Sequence, residues 1–217
     1  MLINIKNLLK SFRAFLFPKK CVGCSTPDFW ICDKCLRQIP KSFENPFTWS
    51  FSVFEYKNRV IRKAIWLIKF NKKYSALADL EKVLRESFDE FLFKKGLEKS
   101  NVVLVPIPIT KRSQAKRGYN QSLLLAKVLV KGQNDFEICE KVLVKSKNHL
   151  PQNKIKNRVE RMSNVKNSFA IKNPEKVHGK IIVLIDDVTT TGATLEEARK
   201  VLNKAKAKKV FAFTVAH

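Results

Sequence analysis

Residues 181–198 read IIVLIDDVTTTGATLEEA, and no other stretch restricts the fold as tightly. Ile181, Ile182, Val183, Leu184 and Ile185 form an unbroken, mostly β-branched run. Such a run predicts a strand covered on both faces, as in a parallel sheet. Asp186 and Asp187 then fall at its carboxyl end, where open α/β sheets place their ligands. From Leu195 the apolar spacing turns helical, through Ala198, Val201 and Leu202. Thr194 is placed to cap this helix, and Glu196 and Glu197 suit its positive N-terminal end. Residues 188–194 become a strand-to-helix loop with outward-facing backbone N–H groups. Within it Gly192 allows close backbone approach, and Thr189, Thr190, Thr191 and Thr194, around Ala193, add hydroxyl donors. That combination is a phosphate cradle.

Acids repel phosphate, so two carboxylates beside such a loop imply a ligand with hydroxyls, or a bound Mg²⁺, close to its phosphate. A ribose 5-phosphate meets this demand, with its 2′- and 3′-hydroxyls on Asp186 and Asp187 and its phosphate in residues 189–194. Neither a G-x-x-x-x-G-K-[ST] loop nor a G-x-S-x-G elbow occurs. The bland alternative is an ordinary βα turn with a solvated acid pair; the agreement of strand, acids, loop and helix weighs against it. The stretch resembles the ribose-phosphate motif of type I phosphoribosyltransferases, which bind phosphoribosyl pyrophosphate (PRPP).

A second buried strand is predicted at 101–108, NVVLVPIP, stopped by its prolines. It leads into a loop, ITKRSQAKRGYNQ, carrying Lys111, Arg112, Lys116 and Arg117, and then into a helix from about Gln121 to Val130. Further strands are expected at 51–56, 141–146 and 208–217, and helices at 60–68 and 74–92. Residues 147–171 are strongly basic, with Glu160 their only acid, and are expected to be partly a mobile loop. The alternation argues for a parallel, doubly wound sheet from about residue 51. Its two ligand loops would share one edge, with cations for a pyrophosphate and acids with donors for a ribose phosphate.

Four of the five cysteines lie in CVGCSTPDFWICDKC as Cys21, Cys24, Cys32 and Cys35. Paired C-x-x-C steps present four thiolates to one tetrahedral ion, which predicts a structural Zn²⁺ in place of disulfides. Gly23 suits the tight turn of such a knuckle, and Phe29, Trp30 and Trp49 are candidates to cover it. Cys139 stands alone and is expected to be a core thiol. Before this module, Ile5, Leu8, Leu9, Phe12, Phe15 and Leu16 recur at helical spacing, with Lys6, Lys10 and Arg13 between them. This reads as an amphipathic helix packing on the body of the protein, with attachment to a membrane surface as the minority alternative. No apolar run reaches the roughly 18 residues of a membrane span, and a cytoplasmic location is expected. The division expected is 1–50, amphipathic helix and zinc-finger module, and 51–217, phosphoribosyltransferase-like domain.

The net charge of +24 points to a polyanionic partner, although a Lys-rich genome bias would also raise it. Lys154, Lys156, Arg158 and Lys166, with the cations of 111–117, are candidates to track a phosphate backbone. Phe70 near Lys69 and Lys72, and Tyr119 near Arg117, are candidate stacking platforms, each with core packing as its alternative.

LFPKKCVGC…CDKC, VPIP…KRGYNQ, LPQ…R..NVKNSF and VLIDDVTTTGAT occur here in one order. Together they resemble the ComF family of late-competence proteins, over nearly the whole chain. The resemblance implies a type I phosphoribosyltransferase-like parallel sheet flanked by helices, with a small N-terminal four-cysteine zinc module. It implies a role in natural transformation, on incoming single-stranded DNA, with helicase-like and recombination-mediator partners. It also implies PRPP with Mg²⁺ as ligand, held by Asp186, Asp187 and residues 189–194, with Lys111, Arg112, Lys116 and Arg117 at the pyrophosphate. Arg161 and Asn164 match the family's R..NV and would belong to a loop that closes over the site. Thr189 departs from the bulkier residue common there, and KSKNHLPQ (145–152) departs from an Arg-rich, Thr-containing pattern. An active phosphoribosyltransferase of nucleotide salvage is the alternative function.

Overall fold

The run that ends in the two aspartates becomes the central strand of a five-stranded parallel sheet. The computed structural model describes residues 19–42, 45, 47–71, 73–97, 102–146 and 167–217. In chain order its elements are α1 (Asp33–Arg37), β1 (Ser50–Phe54), α2 (Arg59–Phe70), α3 (Ala76–Lys94), β2 (Val102–Pro106), α4 (Lys111–Arg117), α5 (Gln121–Leu129), β3 (Glu137–Ile138), β4 (Leu143–Lys145), β5 (Phe169–Ile171), β6 (Ile181–Val188), α6 (Ala193–Lys204) and β7 (Lys209–Ala216). The sheet order is β1-β7-β6-β2-β3, with every pair parallel.

Alternate residues of β6 enter two different cores. Val183 and Ile185 pack with Leu80 and Leu84 of α3 and Leu125 and Leu129 of α5. Ile182 and Leu184 pack with Leu195, Ala198 and Leu202 of α6. A strand with helices on both faces has no solvent side, so its sequence does not alternate. The same holds for β2, where Val102 and Leu104 face one core and Val103 and Val105 the other.

Three expectations are corrected. The strand expected at 141–146 does not join the main sheet; β4 pairs antiparallel with β5 in a separate hairpin. Leu143 is buried while Val144 and Lys145 are half-exposed, a one-faced pattern that a doubly covered parallel sheet does not take. The segment 111–117 is a helix, not a loop. Thr110 caps it by accepting from Ser113 N at 3.1 Å, and Gly118 ends it in the left-handed region at φ 84°. Helix α6 begins one residue before Thr194, so its N-cap is Gly192 rather than Thr194.

The cysteine segment packs on the α2–α3 side. Trp30 N and Ile31 N both donate to Asp79 Oδ2 of α3, at 2.7 and 3.2 Å, and Trp30 Nε1 donates to Ser75 Oγ at 2.9 Å. Ile31 and Ile39 are buried in the same core as β6. Of the three aromatics considered as cover, Trp30 serves in this way, whereas Phe29 is exposed and Trp49 packs against the α6 core. The predicted amphipathic helix of residues 1–18 lies outside the described residues. Among those described, no helix is long and apolar enough to cross a membrane.

Candidate functional site

From β2 the chain moves through α4 and α5 to β3 on one side of the sheet; from β6 it moves through α6 to β7 on the other. The two connections part between the carboxyl ends of β2 and β6, which leaves a crevice where such sheets bind ligands. A cleft of about 460 Å³ opens there. It brings together Asp186, Asp187 and residues 189–194 with Arg112, Lys116 and Arg117 of α4. Lys111, at the start of α4, is not part of the lining. Arg161, Asn164, Lys154, Lys156, Arg158 and Lys166 lie outside the described residues. The segment that carries them leaves from Ser146 and returns near Ser168, both of which line the cleft, and Ser146 N donates to Ser168 O at 2.9 Å.

The acid pair is buried and unequally partnered. Asp186 Oδ1 accepts from Ser122 Oγ and from Asp187 N, both at 2.9 Å. Burial, and next the charge of Asp187, push the Asp186 carboxyl up to about 7. Asp187 Oδ1 forms an ion pair with Lys69 Nζ at 3.0 Å. Burial works to lower the Lys69 pKa, but the charges of Asp187 and Asp186 hold it above its ordinary value. Lys145 also lines the cleft, with its ammonium 4.1 Å from the Phe169 ring centroid and its pKa lowered by burial. Asp187 Oδ2, Thr189 Oγ1 and Ser168 Oγ are buried without a hydrogen-bond partner among the described residues. Each such atom costs about 1–3 kcal/mol when left unpaired.

Lys69, Ser122, Lys145 and Ser168 were absent from the sequence-based site. The available signal was weak: Lys69 follows Ile65 by one helical turn on the flank of a buried stripe, and Ser122 sits in the first turn of α5.

Gly192 has φ 75°, a region that favours glycine, and a Cβ built on it would run into the Phe47 ring. Phe47 stacks on Trp49 at 4.7 Å, and the Arg199 guanidinium of α6 lies 4.6 Å from the Trp49 centroid. The glycine expected to admit a phosphate thus turns its Cα toward a protein ring, and the segment before β1 braces the loop.

The four cysteines of the N-terminal segment form the one group of three or more ligand side chains, among the described residues, close enough to share an ion. Their sulfurs all lie within 4.8 Å of one another, and none is in a disulfide. Cys24 is drawn down to about 6, first by the Thr26 hydroxyl, while Cys35 is pushed up to about 12, first by its contact with Cys24. Four sulfurs so close cannot all ionise without a cation, and a metal suits them. Gly23 is required by space: a Cβ there would sit 2.7 Å from Cys35 Sγ. At the acid pair Lys69 holds one Asp187 oxygen and leaves Oδ2 without a partner among the described residues. Cys139 is buried, and burial pushes its thiol up to about 11.

The family model for the phosphoribosyl transferase domain matches residues 123–217, which include β6, the acid pair and the loop after it. The chain is 34% identical over 165 residues to the competence protein ComFC of Bacillus subtilis, covering 76% of this chain and 62% of that protein. The chain is thus similar to a competence protein over most of its own length. It is also 28% identical over 188 residues to the DNA utilization protein YhgH of Escherichia coli, covering 84% of this chain and 77% of that one. It thus spans less than two thirds of the Bacillus relative's length. A hypoxanthine phosphoribosyltransferase from Staphylococcus aureus superposes with a TM-score of 0.40 at 17% identity, over 62% of each chain. In this chain the matched domain begins inside α5, so the cysteine centre, Lys69 and α4 all lie outside it.

The acid pair makes a pH prediction. The folded Asp186 pKa, about 7, lies above its ordinary 3.8, so its stabilising contribution is full below the ordinary value and is lost as pH rises through about 7. Urea unfolding of the unliganded protein at pH 5 and pH 8 should show Asp186→Asn gaining stability relative to wild type at the higher pH. A relative loss at pH 8 would contradict the assigned environment.

Proposed function

We propose that this protein is a ComF-family member that binds PRPP, or a related sugar phosphate, in the cleft between β2 and β6 and serves DNA uptake by handling incoming single strands. The observation that carries the ligand reading is the set of buried, unpartnered atoms on Asp187, Thr189 and Ser168 beside the α4 cations. Buried polar atoms are nearly always paired, so three around one cleft are suited to a ligand's hydroxyls and phosphate. In this reading Asp186 and Asp187 accept the ribose hydroxyls. The N–H groups and hydroxyls of residues 189–194 hold the 5-phosphate, and Arg112, Lys116 and Arg117 hold the pyrophosphate. Arg161 and Asn164 are assigned to the segment that closes over it. The cysteines hold a structural zinc, and residues 1–50 and 51–217 are its two functional parts.

The DNA role is supported by the names of the relatives, one a competence protein and one a DNA utilization protein. Charge supports it further: residues 57–75 carry seven Lys or Arg and no acid. Trp66, Phe70 and Tyr74 in that stretch are 51%, 51% and 58% exposed, and Arg117 lies 5.4 Å from the Phe70 ring centroid. Exposed rings among cations suit stacked bases and phosphates together. Lys154, Lys156, Arg158 and Lys166 are assigned to the same strand's backbone. Helicase-like and recombination-mediator proteins are the protein partners proposed.

Three measurements test this. Calorimetry should show PRPP affinity falling by at least about 100-fold in Asp186→Ala with Asp187→Ala, since hydrogen bonds to charged groups contribute roughly 1.5–3 kcal/mol each; unchanged affinity would remove the assignment. Single-strand binding should weaken with salt, with a slope of about −0.7 per phosphate neutralised. Reversing Lys154, Lys156 and Arg158 to Glu should flatten that slope, whereas salt-insensitive binding would sink the backbone-tracking role. Metal analysis should return about one zinc per chain, lost in Cys21→Ser with Cys35→Ser.

A further inference from the structure

We propose that Lys69 stands in for a divalent cation at the acid pair, so that the cleft holds its sugar phosphate with a protein ammonium where such a ligand otherwise brings Mg²⁺. The ligand here is that of the reading above; the content comes from the geometry of Lys69.

The Lys69 side chain is only 22% exposed, and its Nζ lies 3.0 Å from Asp187 Oδ1. Asp186 Oδ1 is engaged by Ser122 Oγ and Asp187 N. On Asp187 this leaves Oδ2 as a buried acceptor with no partner among the described residues. Asp187 Oδ2, together with Asp186 Oδ2, which has no partner among the described residues, suits the two ribose hydroxyls. Mg²⁺ instead takes six oxygens in strict octahedral geometry and gives up its waters reluctantly. It would also have to approach a fixed positive charge. The ammonium is held in place from two sides. The two acids attract it, and α2 is anchored because Ile61, Ala64, Ile65 and Ile68 are buried in the sheet core. Lys69 lines the same cleft as Arg112, Lys116 and Arg117, so its ammonium is available to the ligand beside the other cations. An ammonium that meets both a carboxylate and a ligand phosphate does there what a bridging metal does: it cancels charge and fixes distance.

The test has two arms on the chain as it exists. The first needs no sugar phosphate. Electron paramagnetic resonance with Mn²⁺ alone should find no site in wild type that Asp187→Asn removes. Lys69→Met should gain one such site, and Lys69→Met with Asp187→Asn should lose it. In the second arm PRPP is titrated with and without Mg²⁺. Wild-type affinity should change little. Lys69→Met should lose at least about tenfold without Mg²⁺ and regain most of it with Mg²⁺, while Lys69→Arg keeps metal-free binding. Mn²⁺ bound by wild type at Asp187, or wild-type PRPP binding that collapses without Mg²⁺, overturns the proposal. If Lys69→Met does not fold, these two wild-type measurements decide it. If PRPP does not bind under either condition, the ligand reading fails and the Mn²⁺ arm alone decides the counter-ion role.

Discussion

β6 pairs with β2 along one edge and with β7 along the other, and helices cover both its faces. The strand has nowhere to expose a polar side chain until its last residues. Asp186 and Asp187 stand at that limit, still buried, at the point where the connections from β2 and β6 part. Their charge has to be answered locally. Ser122 answers Asp186 from α5, and Lys69 answers Asp187 from α2. The cleft is thus assembled by elements that meet because β6 is central, and its polarity follows from what two buried carboxylates require.

The segment before the sheet is joined to this cleft at two places. Near Trp30 it is fastened to α3 by Asp79 and Ser75. Near Phe47 it lies against Gly192 and stacks on Trp49, which in turn carries Arg199 of α6. A ring packed against a glycine in the left-handed region limits how far the loop can relax, because any side chain at Gly192 would displace it. The segment that carries the cysteine centre therefore also reaches the loop at the edge of the cleft.

The opening motif was legible because each of its parts obeys a local rule. An apolar run without alternation means two covered faces, and acids at its end mean a strand terminus at a ligand edge. The cysteine pairs were legible for the same reason, since C-x-x-C spacing sets two sulfurs on one turn. The helix at 111–117 was missed although Thr110 and Gly118 bracket it as cap and stop; its wealth of cations reads equally well as a loop. The strand at 143–145 was placed in the wrong sheet because three residues carry too little pattern to tell a one-faced hairpin from a buried strand.

The sequence by itself determined the strand, the acid pair, the hydroxyl-rich turn and the four-thiol cluster, since each is a contiguous stretch whose chemistry depends on near neighbours. Only the tertiary structure decided that Lys69 faces Asp187 across 118 positions of chain (187 − 69), that Ser122 donates to Asp186, and that Phe47 lies against Gly192. These contacts depend on strand order and on which helix face turns inward. A lysine beside a buried stripe looks the same in one dimension whether it reaches solvent or a buried carboxylate; the packing of α2 against the sheet sets its direction.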